Sequence, residues 1–292
     1  MQEQVRTIPK EATKASPFSS KTADYNVRRV KSKSISLDGE PKGWLLNVGR
    51  LSVFVLLILF WEVGARIGVI DPFFWSMPSQ ILQTWSVIAV DGSVWTDTFY
   101  TFQSTVYGFV IGTLGGAVIG LSFWWSKYYA KIAEPFLIIF EAMPKLALAP
   151  IVVLIFGIGL SSKIAMAVAI TIIITTLTTY NGMKHVDKDL IRMIFALGAS
   201  RWQVFTKVVV PWTMPAIISA LRINIGLALT GAIVGEYIGS TSGLGRMIFY
   251  AGQTYEISLI WAGIFNLSLL SILLYLVVSW LEGKLLKGIL HK

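Results

Sequence analysis

The sequence predicts an all-α membrane protein with six transmembrane helices. Hydrophobic residues fill 54% of its 292 positions and charged residues only 14%, against about 25% charged in an ordinary soluble domain. The mean hydropathy of +0.67 is concentrated in apolar stretches long enough to cross a bilayer as helices. The alternating pattern of an outer-membrane barrel is missing, which leaves helices as the form that satisfies the backbone in lipid.

Residues 1–43 are polar, with nine basic and five acidic side chains, and read as a flexible cytoplasmic tail; residues 44–292 form the transmembrane domain. The first span covers about Trp44–Ile67, with Glu62 and Arg66 placed four apart to pair near its outer end. A loop, Gly68–Asp97, carries Asp71, Asp91 and Asp97 and a short surface helix, Gln80–Val90. The second span, about Phe99–Trp125, has small-xxx-small pairs among Gly108, Gly112, Gly116 and Gly120 that allow close helix approach. A basic loop, Lys127–Lys131, leads to an irregular third span, about Pro135–Gly157, interrupted by Pro144 and Pro150. The fourth span is about Lys163–Tyr180, the fifth about Ala216–Gly239 and the sixth about Leu259–Leu281. Lys and Arg concentrate in the tail, residues 126–134, residues 182–212 and the C-terminus. The positive-inside rule then places both termini in the cytoplasm.

The net charge of +9 is explained by topology, with no need for nucleic acid. The chain has no cysteine, which excludes disulfides and thiolate metal sites, and His185 and His291 are too few and too far apart for a zinc site. No metal site is expected. There is also no G-x-x-x-x-G-K-[ST] loop: the nearest string, Gly157–Lys163, has Ser162 where the second glycine must stand. The chain is not expected to be an enzyme or to bind ATP itself.

The longest break between spans is the cytoplasmic segment 187–212. Leu190, Ile194 and Leu197 share one helix face at i, i+4 and i+7. Gly198 offers a chain reversal. Ser200 and Gln203 form a capping box that starts a second helix, which Pro211 and Pro215 then bend or interrupt. Within the spans, Glu141, Lys145, Asn224, Thr230 and Glu236 are candidates for a translocation path, because intramembrane polar residues usually mark one. Each has a simpler reading. Glu141 and Lys145 can pair with each other, Thr230 can bond its own helix, and Glu236 can be capped or solvated near the outer interface. Arg222, near the cytoplasmic end of its span, can snorkel.

The segment around Ala196, Leu197, Gly198, Ala199, Ser200, Arg201 and Trp202 resembles the L-G-A-S-R core of the E-A-A-x-x-x-G-x9-I-x-L-P motif. That motif belongs to permease subunits of ATP-binding-cassette (ABC) importers. Nine residues after Gly198 come Val208-Val209-Val210-Pro211, close to its I-x-L-P end; at the front, Arg192, Met193 and Ile194 replace E-A-A. Met143–Pro150 with Phe156-Gly157-Ile158-Gly159 is similar to the third-span signature of nitrate, sulfonate, taurine and bicarbonate permeases. So is Leu221-Arg222-Ile223 through Gly235-Glu236-Tyr237-Ile238-Gly239, with Gly243-Leu244-Gly245 after it. Together these cover about residues 70–285.

The resemblance implies a type I importer permease fold in a bacterial inner membrane. It further implies two ABC ATPase subunits that bind ATP and Mg, a second permease copy, and an extracytoplasmic solute-binding protein as partners. The second-span glycine stripe and the small residues Gly226, Ala228, Gly231 and Ala232 of the fifth span are candidates for packing the two copies. Leu190, Arg192, Ile194, Ala196, Leu197, Gly198, Ser200, Arg201, Trp202 and Pro211 would form the ATPase-coupling element. The solute implied is small, with an anion such as a sulfonate, taurine or nitrate foremost. The alternative is an ion-gradient-driven secondary transporter or channel. It leaves the cytoplasmic segment without a use, and no inverted repeats are visible.

Overall fold

The computed structural model describes residues 43–290; the tail expected over residues 1–43 falls outside them except for Gly43, as do His291 and Lys292. The described residues before Ser52 and those from Ser52 onward fall into separate compact units, and the helical bundle is the second. The helices in order are α1 (Gly43–Arg66), α2 (Pro72–Trp75), α3 (Pro78–Val90), α4 (Ser93–Ser122), α5 (Lys127–Ala142), α6 (Ala149–Phe156) and α7 (Leu160–Lys184). They continue with α8 (Lys188–Ala196), α9 (Arg201–Val204), α10 (Val210–Ile238), α11 (Leu244–Gln253) and α12 (Ile257–Leu290). Among the described residues, five helices are long and apolar enough to cross a membrane, or six if the bent pair Lys127–Ala142 and Lys145–Phe156 counts as one span.

That bent pair is the irregular third span. It turns by 87° at Met143-Pro144, where Pro144 cannot continue an α-helical ladder and restricts the residue before it. The helix begins earlier than expected: Ser126 accepts from the Tyr129 backbone N–H at 3.2 Å and caps α5, so the basic stretch Lys127–Lys131 is helical, not a loop. Asp97, expected in the preceding loop, lies inside α4 and is buried.

Glu62 and Arg66 pair at 2.7 Å as their spacing predicts. Glu62 does a second thing that spacing does not show: it accepts from the backbone N–H (3.0 Å) and hydroxyl (2.9 Å) of Ser79 and so anchors the start of α3.

The glycine stripe of α4, a candidate for packing a second copy, instead packs α7 of the same chain. Gly108 lies on Ala167, Gly112 on Thr171, Gly116 on Ile172 and Thr175, and Gly120 on Thr179. The reason is complementarity. The facing residues of α7 are small or β-branched threonines whose hydroxyls bond back to their own helix, Thr171 to Ala167 O and Thr175 to Thr171 O, both at 2.8 Å. The hydroxyls of Thr171 and Thr175 are thereby satisfied, and these compact side chains fill the space the glycines leave. Gly231 of α10 likewise sits on Ala167. Gly226, with nothing within 4 Å of where a Cβ would stand, stays on an open face.

A Cβ at Gly116 would stand 2.5 Å from Ile172 O and 2.6 Å from Thr175 Cβ, whereas one at Gly115 would first meet the movable tip of Ile172 at 3.3 Å. Gly116→Ala is therefore expected to destabilise the α4–α7 pair by about 1–3 kcal/mol. The readout is the midpoint of thermal inactivation in detergent, which Gly115→Ala should leave in place; equal losses from both changes would refute the packing argument.

Candidate functional site

The segment 187–212 holds the shape its punctuation predicts. Asp187 caps α8 by accepting from the Asp189 N–H at 2.8 Å. Gly198, at φ +86°, ends α8 in a Schellman motif: its N–H bonds Phe195 O at 3.0 Å and the Ala199 N–H bonds Ile194 O at 3.3 Å. The capping box is complete. The Ser200 hydroxyl accepts from the Gln203 N–H at 3.3 Å, and the Gln203 side chain accepts from the Ser200 N–H at 2.8 Å.

From Arg201 the helix runs without a break through Ile238, so Pro211 does not interrupt it. Residues Phe205–Val209 adopt a π-turn that ends two residues before Pro211. A proline there has no N–H to give and would press its ring on the carbonyl four residues back; the wider turn relieves both problems.

Leu190, Ile191 and Ile194 pack inward on Val186, Val204, Val208 and Val209. Leu197 does not join them. It is 80% exposed because α8 ends at Ala196 and the chain turns at Leu197 before the expected third contact. The outward side of α8 thus presents Met193, Ala196 and Leu197. Arg192, at the position where the family motif has glutamate, pairs in solvent with Asp189 at 3.0 Å. Arg201 donates to Trp125 O at 3.1 Å, and Trp202 stacks on Trp125 with ring centroids 5.9 Å apart. These contacts tie the segment to the end of α4.

The intramembrane candidates do not share one environment. Lys145 donates to the Glu141 backbone carbonyl at 2.7 Å, not to its carboxylate, and so closes the last turn of α5 at the bend. Thr230 is exposed and bonds Gly226 O at 2.9 Å. Asn224 is fully buried and donates to Thr175 at 2.7 Å and Thr113 at 3.2 Å, which links α10 to α7 and α4. Glu236 is 1% exposed, and neither it nor Asn224 presents a side chain to a surface of this subunit. Their burial joins helices. Arg222 pairs with Glu282 of α12 at 2.6 Å; Glu282 lies sixty residues away in sequence, beyond any local pairing rule.

Glu236 belongs to a node that the sequence showed only in fragments. Three consecutive N–H groups at the start of α11 each meet a buried side chain: Gly243 donates to Asp97 at 2.7 Å, Leu244 to Thr101 at 2.9 Å and Gly245 to Glu236 at 2.8 Å. Thr101 also donates to Glu236 at 3.1 Å. Beside them Lys163, wholly buried, reaches Ser162 at 3.1 Å and the Gly239 carbonyl. Carboxylates at a helix N-terminus answer its unpaired donors and its dipole. Gly243 has φ +123°, and a Cβ there would lie 2.6 Å from both Glu236 carboxylate oxygens. The Gly-Leu-Gly string is thus the backbone half of a lock whose other half is Asp97, Thr101 and Glu236. Gly-Leu-Gly alone gives no sign of Asp97 or Thr101, since both sit far off in α4.

Comparison with known proteins agrees with this architecture. Residues 108–289 match the family described as "Binding-protein-dependent transport system inner membrane component". A formylaminopyrimidine transport permease protein of Halalkalibacterium halodurans is 31% identical over 233 residues, covering 80% of this chain and 92% of the relative. A taurine transport system permease protein of Escherichia coli is 30% identical over 245 residues, covering 82% and 88%. Among solved structures, a bacterial ABC transporter involved in the import of alginate superposes with a TM-score of 0.58 at 15% identity, covering 82% of this chain and 96% of that one. A methionine ABC transporter in an inward-facing conformation gives 0.53 at 23% identity, covering 68% and 94%. With the family match spanning most of its length and its helices arranged as in importer permeases, the chain belongs to the inner-membrane components of binding-protein-dependent ABC importers.

Proposed function

We propose that two copies of this permease form the path for a small anion, of the sulfonate or taurine kind, and that α8 and the turn at Gly198 couple them to two ATPase subunits. The observation that carries the anion is Lys145. It stands at the 87° break of a span, bonded to a carbonyl and forming no ion pair among the described residues, so its charge is available to a solute. The names of two relatives, a taurine permease and an aliphatic sulfonates permease, support the same class.

Orientation follows from charge: Lys127, Lys131, Lys184, Lys188, Arg201, Lys284 and Lys287 gather at the end that carries α8, which argues for a cytoplasmic location of that end and both termini. ATP and Mg would bind the ATPase partners, and a solute-binding protein would deliver the anion from the other side. Because the α4 stripe is occupied within the chain, the second copy faces the free side of α10, where Ser219, Gly226 and Thr230 lie exposed. Of the five polar candidates, Glu141, Lys145 and Thr230 keep a route to that path.

The test is reconstitution with the ATPase and binding protein in proteoliposomes. ATP-dependent uptake of labelled taurine or an alkanesulfonate is expected, reduced by Lys145→Gln. Transport of a neutral pyrimidine or flavin with no sulfonate uptake would overturn the anion assignment and leave the coupling reading intact.

A further inference from the structure

At the basic end of the bundle a cleft of about 670 Å³ opens between the start of α5, the end of α7 and α8. Six cations line it: Lys127, Lys131, Lys184, Lys188, Arg192 and Arg201, with no carboxylate among the lining residues. Glu134 answers Lys184 at 2.6 Å and Asp189 answers Arg192 at 3.0 Å. Lys127, Lys131, Lys188 and Arg201 form no ion pair among the described residues. So many like charges around one concavity repel one another unless an anion joins them.

The back wall of the cleft is apolar and aromatic, with Phe123, Trp124 and Tyr180. Trp125 and Tyr128 flank it in sequence, the residue types that favour the membrane–water boundary. Next to Lys127 and Lys131, α5 carries an exposed apolar stripe of Tyr128, Ile132, Phe136 and Ile139 at helical spacing. Cations at the boundary with an apolar track beside them match a charged headgroup attached to a hydrocarbon chain.

We propose that this cleft binds the phosphate headgroup of an anionic phospholipid, with an acyl chain along the α5 stripe. Lys188 and Arg192 belong to α8 and Lys127 and Lys131 to α5, so a headgroup held by both would brace the coupling helix against the membrane. A free phosphate would use the cations and ignore the stripe.

The full-length protein, purified in detergent, is titrated with phosphatidylglycerol or phosphatidylcholine and read by native mass spectrometry. Phosphatidylglycerol should be retained in preference to phosphatidylcholine. K127Q/K131Q/K188Q should lower that retention about tenfold or more, while K127R/K131R/K188R and the distant K284Q/K287Q retain it. The arginine variant separates lost charge from lost folding. Equal retention of the two lipids, undiminished retention by the glutamine variant, or displacement of phosphatidylglycerol by inorganic phosphate would each overturn the proposal.

Discussion

Replacing Gly198 with valine is expected to lower ATP-driven uptake by about tenfold or more while leaving the membrane bundle folded. Gly198 sits at φ +86° with nothing within 4 Å of where a Cβ would stand. The penalty is therefore conformational, not steric. A non-glycine residue in the left-handed region costs about 1–2 kcal/mol, and a β-branched one more. The chain can escape that penalty by unwinding the Schellman motif, which moves α8 relative to the capping box at Ser200. Such a shift misaligns Met193, Ala196 and Leu197, the outward residues, without touching the inward contacts of Leu190, Ile191 and Ile194. Gly198→Asn should keep most activity, because asparagine tolerates this backbone region. The measurements are co-purification of the ATPase, uptake in proteoliposomes and the thermal midpoint of the isolated permease. An intact complex with undiminished uptake in the valine variant would remove Gly198 from coupling altogether.

Gly198 was readable because everything that fixes it is local. The same holds for the capping box of Ser200 and Gln203 and for the Glu62–Arg66 pair: each partner lies within four residues. The apolar spans were readable too, since length and composition alone decide whether a helix can cross a bilayer. What escaped is non-local or depends on competition between neighbours. The α4 stripe announced close approach to some helix. Which helix it meets depends on the small and threonine residues of α7, and a partner within the same chain took it before a second copy could. Leu197 matched the inward face by periodicity, yet the helix ended one residue earlier. Lys163 stands in the sequence only as the start of a span; the Gly239 carbonyl that receives it lies at another helix end. Glu236 and Asn224 carried the signal of intramembrane polarity but not its cause, which is helix joining within the subunit.

That cause makes a sharp distinction testable at Glu236. Glu236→Leu should destabilise the protein strongly, whereas Glu236→Gln should be tolerated far better. The carboxylate accepts from the Gly245 N–H and the Thr101 hydroxyl in a site closed to water. Leucine leaves the Gly245 donor buried and unanswered, at a cost of about 1–3 kcal/mol, and withdraws one of the three side chains that hold the start of α11. Thr101 suffers less, since it can still donate to Asp97 O at 3.1 Å. Glutamine keeps a carbonyl oxygen for Gly245 and has nearly the same shape. The leucine variant should lower the thermal midpoint in detergent by about 5–10 °C, with the glutamine variant close to wild type. Gly243→Ala approaches the same node from the other side: its methyl would press on the Glu236 carboxylate at an unfavourable φ, so it should resemble leucine. If glutamine proved as harmful as leucine, the carboxylate's charge beside the buried Lys163 would be what holds the node, and not its hydrogen bonds to Gly245 and Thr101.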